Sequence, residues 1–263
     1  MKKLVTLLVF LFLFGFSSMC AANDPPAKTS TTIPFATKTD QPGSERILPQ
    51  KLLKDTGEVL TSPKHWDTAN WNRFLLLGGF TYLTYKNDSH IQNWFQEKRS
   101  KNTNNIANVG NAFPVVGAAY LTGAYFLGNQ QQRALAVNGL ESMGIAVLST
   151  EVIHLATNRK RPDGKKDSFP SSHTAAAFAL ATVIADEYGD DDKSVPFLAY
   201  GLATLTAYGR LNDNRHWGSD VVAGALIGHY TAKTVGKING SRNVRVQPYI
   251  HSDQKGMVIS KQF

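Results

Sequence analysis

The chain has 263 residues, a formal net charge of +8 and one cysteine. That length supports one domain with a sizeable core plus tails. The charge suits an anionic substrate or an anionic membrane surface, and without a long Lys/Arg run it excludes a nucleic-acid signature.

Residues 1–22 read as a secretory signal, with Lys2 and Lys3 at the start, an apolar run from Leu4 to Phe16 and a small-residue cleavage site at Cys20-Ala21-Ala22. The apolar run is short for a permanent span. A retained anchor and a lipidated Cys20 are the weaker readings. Removing the signal takes away Lys2, Lys3 and no acid, which leaves a charge of +6. It also removes Cys20, so a chain processed there has no disulfide, no cysteine nucleophile and no thiolate ligand. Residues 23–45 are rich in Pro, Thr, Ser and Lys and read as a flexible tether.

Residues 46–240 are expected to form one helical domain. Leu48, Leu52, Leu53, Val59 and Leu60 suit a short helix and strap. Seven helices are then expected, the first over Asn70–Tyr85. Asp88 or Ser89 caps a second, with Ile91, Trp94 and Phe95 on one face. The others are placed at Asn111–Leu127 and near 131–158, 172–188, 195–208 and 216–235. Small residues such as Ala175, Ala176, Ala177, Ala223 and Gly224 permit close helix approach. In the tail, 241–263, Val244 to Gln247 alternates and Met257 to Ser260 follows a turn-like stretch, the pattern of a hairpin. The expected fold is therefore all-α, a bundle of about six to seven helices with a short C-terminal β-hairpin. Glu141, Glu151, His154 and Asp186 interrupt or bound the apolar stretches, so a soluble or peripherally membrane-bound bundle is expected rather than a multi-span protein.

Three segments carry chemistry: 157–162 (TNRKRP), 168–174 (SFPSSHT) and 209–220 (GRLNDNRHWGSD). In the third, His216 and Asp220 are four apart and would share one helix face. The carboxylate would accept the Nδ1 hydrogen and leave Nε2 free to attack. Arg210, upstream, offers a planar fork for two phosphate oxygens. In the second, Ser171, Ser172 and His173 would open a helix whose free N–H groups favour an anion, with His173 placed to protonate a leaving alcohol. In the first, Arg161 would end a long helix at Pro162 and supply a second guanidinium. Each piece alone also suits a surface pair, a cap or a helix end. Their order together is what gives them weight.

That order resembles the signature of the type-2 phosphatidic acid phosphatase and vanadium haloperoxidase superfamily, which includes bacterial non-specific acid phosphatases. The signature reads Lys-x6-Arg-Pro, then Pro-Ser-Gly-His, then Ser-Arg-x5-His-x3-Asp. Arg161-Pro162, Pro170-Ser171-x-His173 and Arg210-x5-His216-x3-Asp220 match it. The resemblance implies a metal-independent phosphatase that uses no cofactor and forms a phosphohistidine on His216. It implies that Asp220 orients His216, that His173 is the general acid, and that Arg161, Arg210, Ser171 and Ser172 hold the phosphoryl oxygens. Three positions depart from the signature. His154 stands where the lysine falls, two helical turns before Arg161, and is expected to replace its cation. Ser172 replaces the glycine, and Gly209 replaces the serine before Arg210.

The expected substrate is a lipid phosphate or a small soluble ester, the expected location periplasmic, and peripheral membrane contact is expected. The competing readings are a vanadate-dependent haloperoxidase, a metal hydrolase using His173, His216 and Asp220, and an inactive anion- or membrane-binding module.

Overall fold

The computed structural model describes residues 49–65, 67–242, 244–251 and 254–261. The signal and tether expected over residues 1–45 lie outside them. Among the described residues eight α-helices run in chain order: α1 Pro49–Thr61, α2 Thr68–Lys86, α3 Asp88–Glu97, α4 Lys101–Leu127, α5 Gln130–Thr157, α6 Ser172–Tyr188, α7 Ser194–Asn212 and α8 Gly218–Arg242. A single 3-10 turn, Ser62–His65, follows α1. Strands β1 (Val244–His251) and β2 (Gln254–Lys261) pair antiparallel, Val244 opposite Lys261. The all-α bundle with its terminal hairpin is the expected architecture. Among the described residues no helix is long and apolar enough to cross a membrane.

The centre of the bundle is α6. Ala175, Ala177, Ala179 and Ala181 are fully buried, as is Phe178. Alanine costs no side-chain entropy and lets a neighbour's backbone approach. Helices α5, α7 and α8 pack around it, and α4 packs against α5 and α7. At the α6–α8 crossing, a Cβ added at Gly228 would lie 2.1 Å from the Ala175 carbonyl oxygen. This contact therefore requires glycine.

Two boundaries differ from the sequence reading. Helix α4 starts ten residues before the expected Asn111, because Ser100 and Thr103 form a reciprocal capping box. The extra turns are polar and join the site end: Asn212 donates to Asn104, and Asn111 donates to Asp213. Pro114 lies inside α4 and cannot bond the Gly110 carbonyl one turn earlier. Thr206 of α7 supplies that hydrogen bond instead, Oγ1 to Gly110 O at 2.6 Å. Helix α5 ends at Thr157 rather than at Arg161. Asn158 takes the left-handed conformation (φ 42°) and caps it through His154 O.

Gly228→Ala is expected to destabilise the fold by about 1–3 kcal/mol, since backbone must move to admit the methyl group. Gly201, on α7, has nothing within 4 Å of an added Cβ. Gly201→Ala is expected to stabilise by about 0.5–1 kcal/mol through a stiffer unfolded chain. Urea unfolding of both variants checks the pair, and equal effects would contradict the packing described.

Candidate active site

The site lies where the loop 158–171, the start of α6, the end of α7 and the turn before α8 meet. Helix α8 begins at Gly218, so His216 precedes it and does not share its face with Asp220. The expected geometry is corrected accordingly. His216 Nδ1 donates to the Ser168 carbonyl at 2.8 Å, while the nearer Asp220 oxygen is 3.7 Å away. A carbonyl oxygen can only accept, so the Nδ1 position carries the hydrogen and Nε2 carries the lone pair. The ring is 2% exposed, and no Nε2 hydrogen bond occurs among the described residues. Burial holds its pKa below the ordinary histidine value, against the opposing pull of Asp220. The ring is thus neutral and nucleophilic at neutral pH.

Asp220 is fully buried in the first turn of α8. Its Oδ2 accepts from Trp217 N at 2.8 Å and from Ser168 Oγ at 2.5 Å. The first is half of a capping box, and the negative charge suits the helix start. Its Oδ1 accepts from Arg159 Nη1 at 2.6 Å. Asp220 therefore orients His216 largely through Ser168: the Ser168 hydroxyl holds the carboxylate while the Ser168 carbonyl holds the ring. Proximity adds a direct charge effect.

Three arginines approach the cleft. Arg210, in the last turn of α7, has its Nε buried without a hydrogen-bond partner among the described residues. Buried guanidinium donors are rarely left unpaired, and this one is suited to an anion's oxygen. Burial pushes its pKa down to about 10, so it remains a cation. Arg161 lies in the loop, where Nε and Nη2 both donate to the Asp167 carbonyl at 3.2 Å. Arg215 lies 3.8 Å from Asp163 and is half exposed. Arg161, Arg210 and Arg215 all act electrostatically on His173, in the first turn of α6. Loss of water around that ring, followed by the charges of Arg210, His216, Arg161 and Arg215, lowers its pKa to about 4.

The two serines of the second segment are engaged elsewhere. Ser171 is the N-cap of α6, and its Oγ accepts from Thr174 N and from Thr174 Oγ1. Ser172 Oγ donates to Glu151 Oε1 at 3.0 Å and accepts from Thr150 Oγ1 at 2.8 Å. The Ser171 N–H is also taken, by the Asp220 carbonyl at 3.0 Å, so the N–H groups that the α6 start leaves for an anion are those of Ser172 and His173. The ring of His154 is likewise engaged. It is buried, with Nε2 donating to the Pro170 carbonyl at 2.7 Å and Nδ1 3.3 Å from Glu151. The two-turn spacing to Arg161 fails because α5 stops at Thr157. Both ring nitrogens of His154 are thus engaged where the loop enters α6.

Sequence reasoning missed Arg159, Arg215, Ser168 and Asp88. The first three lie inside or beside the quoted segments, but no spacing rule assigned them a partner. Asp88 was read only as a cap, and its link to α8 is a long-range contact. A three-ligand metal set of His173, His216 and Asp220 does not form, since Asp220 is enclosed by Arg159, Ser168 and Trp217 N.

Residues 148–242 match the PAP2 superfamily. A Lipid A 1-phosphatase of Porphyromonas gingivalis is 31% identical over 149 residues, which is 56% of this chain and 33% of that protein. The chain thus spans about one third of the length of this curated relative. The crystal structure of a transmembrane PAP2 type phosphatidylglycerolphosphate phosphatase from Bacillus subtilis aligns with a TM-score of 0.52. The sequence identity is 18%, over 65% of this chain and 94% of that one, and the likeness is one of fold. The three signature segments meet at one cleft, and the stretch that holds all three, residues 148–242, is the part of the chain that is similar to the PAP2 superfamily.

Proposed function

We propose that the protein is a phosphoric monoester hydrolase that works without a metal ion, through a phosphohistidine on His216. One observation carries this reading. A buried neutral imidazole with Nδ1 pinned by a carbonyl lies beside Arg210, whose buried Nε has no hydrogen-bond partner among the described residues, and beside His173, on which Arg161 and Arg215 also act. In the first step the Nε2 lone pair attacks phosphorus. The N–P bond forms as the bond to the leaving oxygen breaks, and His173 gives that oxygen a proton. In the second step water attacks phosphorus. His173 takes back the proton, the N–P bond breaks, and phosphate leaves. Arg161, Arg210 and Arg215 stabilise the charge on the equatorial oxygens throughout.

The protonation of His173 follows from electrostatics. In the free site its pKa, near 4, leaves it neutral at physiological pH. A bound phosphate dianion opposes the arginines and draws a proton onto the ring. Substrate binding would thus load the general acid.

A lipid phosphate is the substrate class we favour. Exposed apolar side chains lie along α2 (Leu75, Leu76, Leu83), α4 (Val115, Val116) and α7 (Phe197, Leu198). An apolar groove of about 490 Å³ lies against α4 and α6, lined by Phe113, Gly117, Leu121, Leu180 and Ile184. Such surface suits acyl chains and contact with a bilayer. The name of the Porphyromonas relative points the same way. With residues 1–22 read as an export signal, we place the enzyme in the periplasm, against a membrane face.

Purified protein is expected to release phosphate from an aryl phosphate, to keep this activity in a chelator and to be inhibited by vanadate. His216→Ala is expected to lower turnover on the order of 1,000-fold or more. Full activity in that variant would end the phosphohistidine reading, and loss of activity in chelator would restore the metal alternative. A second prediction concerns His173. Its ring should titrate near pH 4 in the free protein and shift upward when phosphate saturates the site. Histidine NMR across a pH series measures both values; an unchanged midpoint would place His173 away from the phosphoryl group.

A further inference from the structure

Behind the nucleophile lie two buried carboxylates and one guanidinium. Arg159 Nη1 donates to Asp220 Oδ1 at 2.6 Å and to Ser219 Oγ at 2.7 Å. Its Nη2 donates to Asp88 Oδ2 at 2.6 Å. The guanidinium lies over two rings, with Cζ 5.0 Å from the Tyr85 centroid and 5.7 Å from that of Trp217. Asp88, at the start of α3, also accepts from Ser219 N at 2.8 Å and Ser219 Oγ at 2.6 Å. Three donors on its two oxygens are the bonding pattern of a carboxylate, although burial raises its pKa. Asp88 therefore caps α8 from another helix and anchors Arg159 at the same time.

The charges give this arrangement a chemical meaning. Two carboxylates and one guanidinium leave one net negative charge behind His216. Phosphorylation of Nε2, with the hydrogen kept on Nδ1, turns the ring into a cation. One negative charge stabilises that cation. Two uncompensated negatives would instead hold the free ring protonated and take away its lone pair. Lysine cannot serve in place of Arg159, because bridging both carboxylates needs the planar fork.

We propose that Arg159 and Asp88 are positioning residues for the nucleophile. Arg159 holds Asp220 in place and sets the charge behind His216 to a single negative, and Asp88 ties Arg159 to the start of α8. This rests on the reading of His216 as the nucleophile. A purely structural staple between α3, the loop and α8 would affect stability but not the charge state of His216. The charged and titratable groups around that ring are Asp220 on α8, Arg210 on α7 and His173 on α6, with Arg159 and Asp88 behind Asp220.

The test uses the full chain with Arg159→Gln, Arg159→Lys, Asp88→Asn and His216→Ala. Two quantities are read: the His216 titration by histidine NMR, and the kinetics on an aryl phosphate. Arg159→Gln should move the His216 midpoint up by about one pH unit, and Asp88→Asn should move it down. Arg159→Lys should keep a midpoint close to wild type yet lose about tenfold in kcat with KM nearly unchanged, since charge is kept and geometry is not. Midpoints that do not move in opposite directions overturn the proposal. Asp88→Asn keeps the shape of the side chain, so its titration decides the matter even if Arg159→Gln fails to fold. His216→Ala with wild-type turnover overturns the proposal by another route, through the nucleophile itself. The two failures are told apart because the titration needs no turnover.

Discussion

The site depends on one buried carboxylate. Asp220 is fully enclosed in the first turn of α8, where an unpaired charge would cost several kcal/mol. The fold compensates with a guanidinium and a hydroxyl from the loop 158–171 and a backbone N–H from the turn before α8. Satisfying Asp220 therefore brings the loop 158–171 onto α8. The same contacts bring Ser168 to His216 and fix the ring. Stability and the alignment of the His216 ring are consequences of one set of hydrogen bonds.

The arginines divide into two populations with opposite relations to their surroundings. Arg159 is spent internally, sandwiched between aromatic rings and shared between two carboxylates. Arg161, Arg210 and Arg215 face the cleft with weaker partners: a carbonyl, a distant carboxylate, or no partner for Arg210 Nε. A cation already paired with a buried carboxylate has little left for substrate, while one with an unpaired donor gains by meeting an anion. This division explains how a cleft crowded with positive charge coexists with a buried acidic layer a few ångströms away. It also explains why the charge on His173 should follow the ligand in the cleft.

Much of this was legible in the sequence, because helix periodicity and three short segments are local signals. The order of helices, the α6 start at Ser172 with Ser171 as cap, and the grouping of Arg161, Arg210, His173 and His216 could be read from them. What could not be read depends on where helices stop. A left-handed Asn158 ends α5 before Arg161, so His154 and Arg161 are not two turns apart on one helix face. Helix α8 starts after His216, so the His216–Asp220 spacing does not produce the direct pair that a continuous helix would. Asp88 is separated from Ser219 and Arg159 by most of the domain, and no local pattern announces such a contact.

The two departures from the signature at His154 and Ser172 meet in space. Both bond Glu151: His154 through Nδ1, and Ser172 through its hydroxyl. His154 then reaches the Pro170 carbonyl and Ser172 opens α6, so the three residues tie the last turns of α5 to the start of the anion-binding helix. A lysine at 154 would bring a charge on a flexible stem, and a glycine at 172 would bring no hydroxyl to Glu151. In this chain the position has been given over to holding the α6 start. Arg161, Arg210 and Arg215 are the arginines that act on the cleft, and Arg215 is the one the signature does not include. The positive charge around the cleft thus enters from the loop 158–171, the end of α7 and the α7–α8 turn.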